Sequence, residues 1–263
     1  SCNTCHDLAT YGVDNNPTSA GNDGGFGDRN SPTVYNAALH IDQFWDGREP
    51  DVEAQAGGPI LNPVEMAMPD EEAVIERLAG VPKYVEMFAL AFPDDEEPIS
   101  YNNLKRSIGA FERTLMTPSK FDDYMAGNNN ALTKEEKDGL QTFIDAGCTT
   151  CHIGPLVGGN MYQKFGLHAN YWEHTGSEKI DEGKFVVTGN ESDKYIFKVP
   201  SLRNIEKTGP YFHDGIGSDL AEVVRIMGVT QLGKELTDEQ VSSIMNFLKS
   251  LTGEIPEEFK ATS

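Results

Sequence analysis

The sequence predicts a mainly α chain, divided into two domains with long loops. Three observations lead there. Cys-x-x-Cys-His occurs twice, at positions 2–6 and 148–152, and uses all 4 cysteines. Apolar residues recur at helical spacing in several segments, two of them opened by capping boxes. Strand signals are scarce. The two motifs lie 146 positions apart (148 − 2) in a chain of 263 residues, a length that allows one or two domains and here favours two, one per motif.

The N-terminal half begins with loop chemistry. Positions 12–32 are rich in Gly, Asn, Asp and Ser, with Gly21-Asn22-Asp23-Gly24-Gly25-Phe26-Gly27 at their centre, and read as a long loop of the kind that is functional or mobile. Residues 33–68 alternate short apolar pieces with Pro and Gly and read as irregular with short helices. From Pro69 the pattern turns helical, through Val74, Ile75 and Leu78, then Tyr84, Val85 and Phe88, with a break near Gly80 and Pro82. Leu104, Ile108, Phe111 and Leu115 form a stripe on one helix face, ended by Thr117-Pro118. The stretch onward to Asn130 reads as a link, so the expected domains are 1–117 and 118–263.

In the second half, Thr133-x-x-Glu136 caps a helix that runs through Leu140, Phe143 and Ile144 into Cys148. Residues 153–218 are loop-rich, and Lys184 to Thr188 is the best strand signal. A short helix is expected from Asp219 to Met227. Thr237-x-x-Gln240 caps a last helix, which buries Val241, Ile244, Phe247, Leu248 and Leu251 before Gly253 stops it.

Cys-x-x-Cys-His is the attachment signature of c-type haem. Two intervening residues let both thiols reach the two vinyl groups on one porphyrin edge, and the next residue holds its imidazole beneath the ring. A redox dithiol or half of a zinc site needs no His at that position. Two covalent haem c groups are therefore expected, on Cys2 and Cys5 with His6 as iron ligand, and on Cys148 and Cys151 with His152. The opposite face of each iron decides its role: a filled face favours electron transfer, an open one admits a small oxidant. Met227, 75 positions after His152, is one candidate to close the second site; a core methionine at helical spacing is the competing reading. His168 and His174 read as surface loop positions.

Lys and Arg number 21 against 42 Asp and Glu, a formal charge of −21. That excludes the basic footprint of a nucleic-acid binder and attraction to anionic membranes. It suits electrostatic steering toward a small cationic electron donor such as a monohaem cytochrome c, or serves solubility alone. No run of apolar residues is long enough for a membrane span. No signal peptide is present, and the chain opens one residue before a haem motif, as a processed product would. Covalent haem c is attached outside the bacterial inner membrane, so a periplasmic protein is expected.

The order of short motifs is more specific still. Cys-Asn-Thr-Cys-His (2–6), Arg-Asn-Ser-Pro-Thr (29–33), Gln-Phe-Trp-Asp-Gly-Arg (43–48), Gln-Ala-Gly-Gly-Pro (55–59), Val-Glu-Met (64–66) and Ala-Phe-Glu-Arg-Thr-Leu (110–115) are followed by Cys-Thr-Thr-Cys-His (148–152), Lys-Val-Pro-Ser-Leu-Arg-Asn (198–204), Thr-Gly-Pro-Tyr-Phe-His-Asp-Gly (208–215) and Met-Gly-Val-Thr-Gln-Leu-Gly (227–233). Over nearly its whole length the chain resembles the bacterial dihaem cytochrome c peroxidases, a family that includes the methylamine-utilisation dihaem enzymes. The resemblance implies two cytochrome c-like domains, reduction of hydrogen peroxide, and a homodimer. It implies that the haem on Cys2 and Cys5 reacts with peroxide, while that on Cys148 and Cys151, closed by His152 and Met227, receives electrons. By the same resemblance Trp45 lies between the haems, Glu65 is the acid/base over the peroxide, Gln55 hydrogen-bonds beside it, His213 sits near a haem edge or propionate, and Asn30, Thr208 and Pro210 hold Ca2+. Proton transfer between the two peroxide oxygens suits a carboxylate, and oxygen ligands suit Ca2+.

One position departs from the pattern. Many relatives carry a His sixteen residues after the first haem-binding His, capping the resting iron; counting from His6, that residue is Asn22, and the loop holds no His. Asn is a poor iron ligand, so the first haem is expected to rest open or water-bound, with His40, Met66 or Met68 as rival caps. A non-catalytic electron carrier is the alternative reading. The methylamine-utilisation branch, which acts on a partner protein, ranks lower because it replaces the second haem's Met by Tyr, whereas Met227 fits its motif.

Overall fold

The computed structural model describes residues 1–260. Its helices are α1 (Cys2–Cys5), α2 (Val52–Leu61), α3 (Glu71–Ala79), α4 (Pro82–Ala91), α5 (Tyr101–Glu112), α6 (Lys120–Met125), α7 (Lys134–Ala146), α8 (Tyr171–Thr175), α9 (Phe185–Thr188), α10 (Leu220–Leu232), α11 (Asp238–Ser250) and α12 (Glu257–Lys260). One antiparallel pair joins β1 (Tyr162–Lys164) to β2 (Ile196–Lys198), with Tyr162 opposite Lys198. The chain is mainly helical, as its periodicity predicts.

Both capping boxes form. Thr133 accepts from the Glu136 amide while the Glu136 carboxylate accepts from the Thr133 N–H at 2.9 Å, and Thr237 and Gln240 repeat the exchange at the start of α11. The two capped helices lie against one another. A methyl group at Gly139 would sit 2.2 Å from the Ser243 carbonyl, so only glycine lets the backbones come this close. Phe143, Val241, Ile244, Phe247, Leu248 and Leu251 fill the core between them.

Several segments differ from expectation. The link after Thr117 contains α6, whose Phe121 is buried in this same core and meets Phe247 edge-on at 5.4 Å. Lys184 to Thr188 is not a strand: Phe185–Thr188 is a single helical turn closed by Gly189 at φ 65°. Val186 and Val187 are exposed there, and β2 pairs with β1 instead, so the β-branched residues find no ladder to join. Helix α10 runs past Met227 to Leu232, because Gly233 at φ 62° supplies the left-handed cap.

In the first half α2 packs along α5, and the Tyr101 hydroxyl donates to the Gly57 carbonyl at 2.6 Å. Ile60, Val74 and Tyr101 form that core, with Leu104 and Ile108 against it. Helix α5 stops at Glu112, before Thr117-Pro118, and Leu115 leaves its stripe to join Leu8, Tyr35 and Ile255. The last described segment thus returns to the N-terminal half, where Phe259 meets Phe111 at 5.6 Å. Between the halves a buried polar relay runs from Asn36 to Thr117 to Asn204, with 2.8 Å bonds on either side of the Thr117 hydroxyl, and the Asn204 side-chain oxygen receives the Gly253 N–H at 2.9 Å. Among the described residues no helix is long and apolar enough to cross a membrane.

Arg203 ties α6 to the haem-motif loop. It is buried, and its guanidinium donates to Asp122 at 2.5 Å, to the Ser119 hydroxyl at 3.1 Å and to the Pro155 carbonyl at 2.9 Å. Arg203→Ala takes the donor from the half-exposed Asp122 and from the Pro155 carbonyl, and is expected to lower unfolding free energy by about 1–3 kcal/mol. The denaturant midpoint measures it.

Candidate functional site

The site is a cavity of about 1850 Å3, well above the roughly 300–1,000 Å3 of an ordinary small-molecule pocket. Cys2, Cys5 and His6 line it from one side; Trp45, Gln55 and Glu65 line it as well. Residues 178–182 and His213 from the second half complete the wall. The structure therefore brings together every residue expected at the peroxide site, from segments spread over the first 65 positions.

Each motif occupies one tight turn, α1 for Cys2–Cys5 and a 3₁₀ turn for Cys148–Thr150. All four thiols are free. Each following histidine turns Nδ1 toward a backbone carbonyl, His6 to Gly12 at 3.4 Å and His152 to Val157 at 3.2 Å. That arrangement leaves Nε2 as the nitrogen available to a metal. Burial lowers the pKa of both imidazoles, that of His152 to about 4, which favours the neutral, metal-binding form. The residues fit a covalent haem at each motif. Cys148 packs beside the core to which α10 contributes Leu220 and Val224, and Met227 is half-buried on that helix.

Glu65 is held by its own turn. The Asn62 side-chain amide donates to the Glu65 carboxylate at 2.7 Å, and the Glu65 N–H bonds the Asn62 carbonyl at 3.0 Å. The glycine-rich loop lies directly on this turn. The Asn22 N–H donates to the Glu65 carbonyl at 2.6 Å, and a methyl group at Gly21 would sit 2.1 Å from the Val64 carbonyl. The Asn22 side chain is exposed and reaches Asp23 at 3.4 Å. Gln55 is carried on α2, whose N-terminus is capped by Asp51 accepting from the Ala54 N–H at 2.8 Å.

Trp45 spans the two halves. Its indole N–H donates to the Asn30 carbonyl at 3.0 Å, while its own carbonyl accepts from the Lys198 N–H at 2.8 Å. Arg29 lies in the same wall, bonding Asp46 at 2.5 Å and Asp181 at 2.6 and 2.9 Å. Burial alone would lower the Arg29 pKa, but Asp181 and then Asp46 hold it above its usual value. His213 is buried 4.0 Å from Asp181, with no hydrogen-bond partner for Nε2.

Of the rival caps, Met66 and Met68 line the cavity. His40 lies elsewhere: its Nδ1 receives Lys198 at 3.0 Å and its ring packs on Gly159. His168 and His174 are exposed, His174 on α8 rather than in a loop. The proposed Ca2+ residues lie near joined segments. The Asn30 amide donates to the Asn16 and Pro17 carbonyls at 3.0 and 3.2 Å, and Asn15 donates to the Lys207 and Gly209 carbonyls at 3.3 and 2.6 Å. Among the described residues no group of three or more His, Cys, Asp or Glu could hold a metal ion, and this leaves carbonyl and amide oxygens as the ligands to consider.

The model of the di-haem cytochrome c peroxidase family matches residues 1–130. The cytochrome c551 peroxidase of Pseudomonas aeruginosa is 46% identical over 97% of this chain and 74% of its own length. This chain belongs to the di-haem cytochrome c peroxidase family. The cytochrome c551 peroxidase of Nitrosomonas europaea is 45% identical over 98% of this chain and 75% of its own length. The crystal structure of a MauG-like protein associated with microbial copper homeostasis superimposes with a TM-score of 0.85 at 27% identity, covering 99% of this chain and 86% of that one.

Several residues that shape this peroxidase-family cavity carry no signal in the sequence taken alone. Asn62 is one of many asparagines, and Arg29 and Asp181 are 152 positions apart. Glu112 is a buried carboxyl in the cavity wall whose pKa is pushed up to about 7, first by burial and then by Glu53. A carboxyl whose folded pKa exceeds its unfolded value supports the fold below the unfolded pKa and loses that support as pH rises through the folded one. Stability is therefore expected to fall between about pH 4.5 and 7. Glu112→Gln removes this slope, gaining about 1–3 kcal/mol at pH 8 relative to the parent and nothing at pH 4. Denaturant titrations at the two pH values check it.

Proposed function

We propose that this chain reduces hydrogen peroxide to two waters, with two electrons from a small cationic donor such as a monohaem cytochrome c. The observation that carries the reading is one cavity lined both by a haem-attachment motif and by the Gln55–Glu65 pair. Cys2, Cys5 and His6 would hold the haem at this site; Cys148, Cys151, His152 and Met227 would hold the second. Bound there, haem supplies peroxide-binding iron at the first position and electron storage at the second. The halves 1–117 and 118–263 form the corresponding domains.

The protein's own share is proton handling and placement. With haem bound, the Glu65 carboxylate would take a proton from one peroxide oxygen and return it to the other, which would leave as water. Asn62 keeps that carboxylate aimed by its 2.7 Å bond, and Gln55 donates to the peroxide. Trp45, tied to both halves, is the aromatic link between the two sites. Asn22 leaves the first site open to peroxide in the fully oxidised protein, because its side-chain amide is a poor iron ligand. Asn30, Thr208 and Pro210 bind Ca2+ through oxygen atoms: with its side-chain nitrogen engaged by two carbonyls, the Asn30 side-chain oxygen Oδ1 is left as a hard ligand. The charge of −21 supports the cationic donor. A periplasmic homodimer completes the reading.

Glu65→Gln is expected to cut peroxide turnover about 10²–10⁴-fold with haem content unchanged; steady-state assays with a reduced monohaem cytochrome measure it. The as-isolated oxidised protein is expected to consume peroxide as readily as the half-reduced form and to show a high-spin first haem. Low-spin spectra from both haems would refute the open site.

A further inference from the structure

A run of aromatic rings leads away from the cavity wall. His213, which lines the cavity, meets Tyr171 edge-on at 5.2 Å. Tyr171 is fully buried and meets Trp172 at 5.1 Å, and Trp172 meets Tyr195 at 5.0 Å. Trp172 and Tyr195 are half-exposed. Phenylalanines flank the run, Phe165 stacked on Tyr171 at 4.7 Å and Phe197 tilted against His213 at 4.5 Å, but the rings that lead from Tyr171 to the surface are Trp172 and Tyr195. Tyr and Trp differ in being the side chains most readily oxidised by one electron.

We propose that Tyr171, Trp172 and Tyr195 form a discharge route that draws oxidising equivalents out of the peroxide cavity when the electron donor is exhausted. This rests on peroxide being reduced in that cavity. Peroxide reduced there without a donor leaves the site short of electrons. Trp172 supplies one electron across Tyr171 and His213, and its indole N–H releases its proton to solvent. Tyr195 then gives an electron to Trp172, which regains a proton, while the Tyr195 phenol releases its own. A soluble one-electron reductant, such as a thiol or an enediol, returns an electron and a proton to Tyr195. Tyr171 bridges without retaining the radical. Its hydroxyl donates to a backbone carbonyl, that of Asp181 at 3.1 Å, which is no base for the phenolic proton. Trp45 is the competing donor in the wall, but its indole N–H is engaged by the Asn30 carbonyl at 3.0 Å and cannot pass its proton to water.

The test treats the haem-loaded protein with excess peroxide without donor, then maps oxygen addition by peptide mass spectrometry. Tyr84, exposed on α4 and outside the run, reports unspecific oxidation. Adducts at Trp172 and Tyr195 several-fold above Tyr84 are expected. Tyr195 also meets Tyr171 directly at 6.4 Å, so in Trp172→Phe Tyr195 adducts should fall several-fold but stay above the Tyr84 level, with donor-driven turnover unchanged. Tyr195→Phe should retain Trp172 adducts and lengthen the life of a freeze-quenched tryptophan radical signal. Equal adducts at Trp172 and Tyr84, or an unaltered pattern in Trp172→Phe, overturns the route. Absence of donor-driven turnover in the parent would instead overturn the peroxidase reading.

Discussion

The architecture of the cavity depends on one guanidinium. Arg29 leaves a long loop, grips Asp46 from the first half and Asp181 from the second, and is itself largely out of solvent. A cation there is tolerable only because two carboxylates surround it, and two carboxylates so close are tolerable only because the cation lies between them. Without the first half Asp181 would lose its cation, while the first half would keep the Arg29–Asp46 pair. The same few residues include Trp45 and Asn30, whose 3.0 Å bond fixes the tryptophan ring in the shared wall. The seam is thus electrostatic at the cavity and neutral farther away, where Asn36, Thr117 and Asn204 continue it with uncharged hydrogen bonds.

Chemistry in the cavity needs two different kinds of placement. Thiols and imidazoles on single turns are placed by covalent spacing, and any helical turn with that spacing would do. The carboxylate of Glu65 is placed by a local turn and an asparagine clamp, and its surroundings come from a loop more than forty positions earlier. Neither is a property of helices packing generically.

Much of this was legible before any coordinates. Capping boxes at Thr133 and Thr237 announced the two principal helices because they are local, reciprocal hydrogen bonds. The haem motifs were legible because covalent attachment demands a spacing. What escaped was whatever depended on distant partners. Lys184 to Thr188 has strand-forming residues, but pairing is decided by what lies beside them, and Tyr162–Lys164 took the available ladder. Phe121 looked like part of a link until the core it enters was visible. Glu112 is one of 42 acidic residues, and nothing in its neighbours along the chain foretells its burial.

The contact between the glycine-rich loop and the Glu65 turn uses main-chain atoms on both sides. Gly21 has no room for a side chain, and residue 22 contributes an amide hydrogen that every amino acid except proline possesses. The identity of the side chain at position 22 is thereby uncoupled from the posture of the acid. A lineage could exchange a metal-binding imidazole for an amide at this point, or reverse the exchange, without disturbing the geometry of proton transfer. Under the proposed reading, control over access to the iron would drift through substitutions at a single codon while the Glu65 turn stays in place.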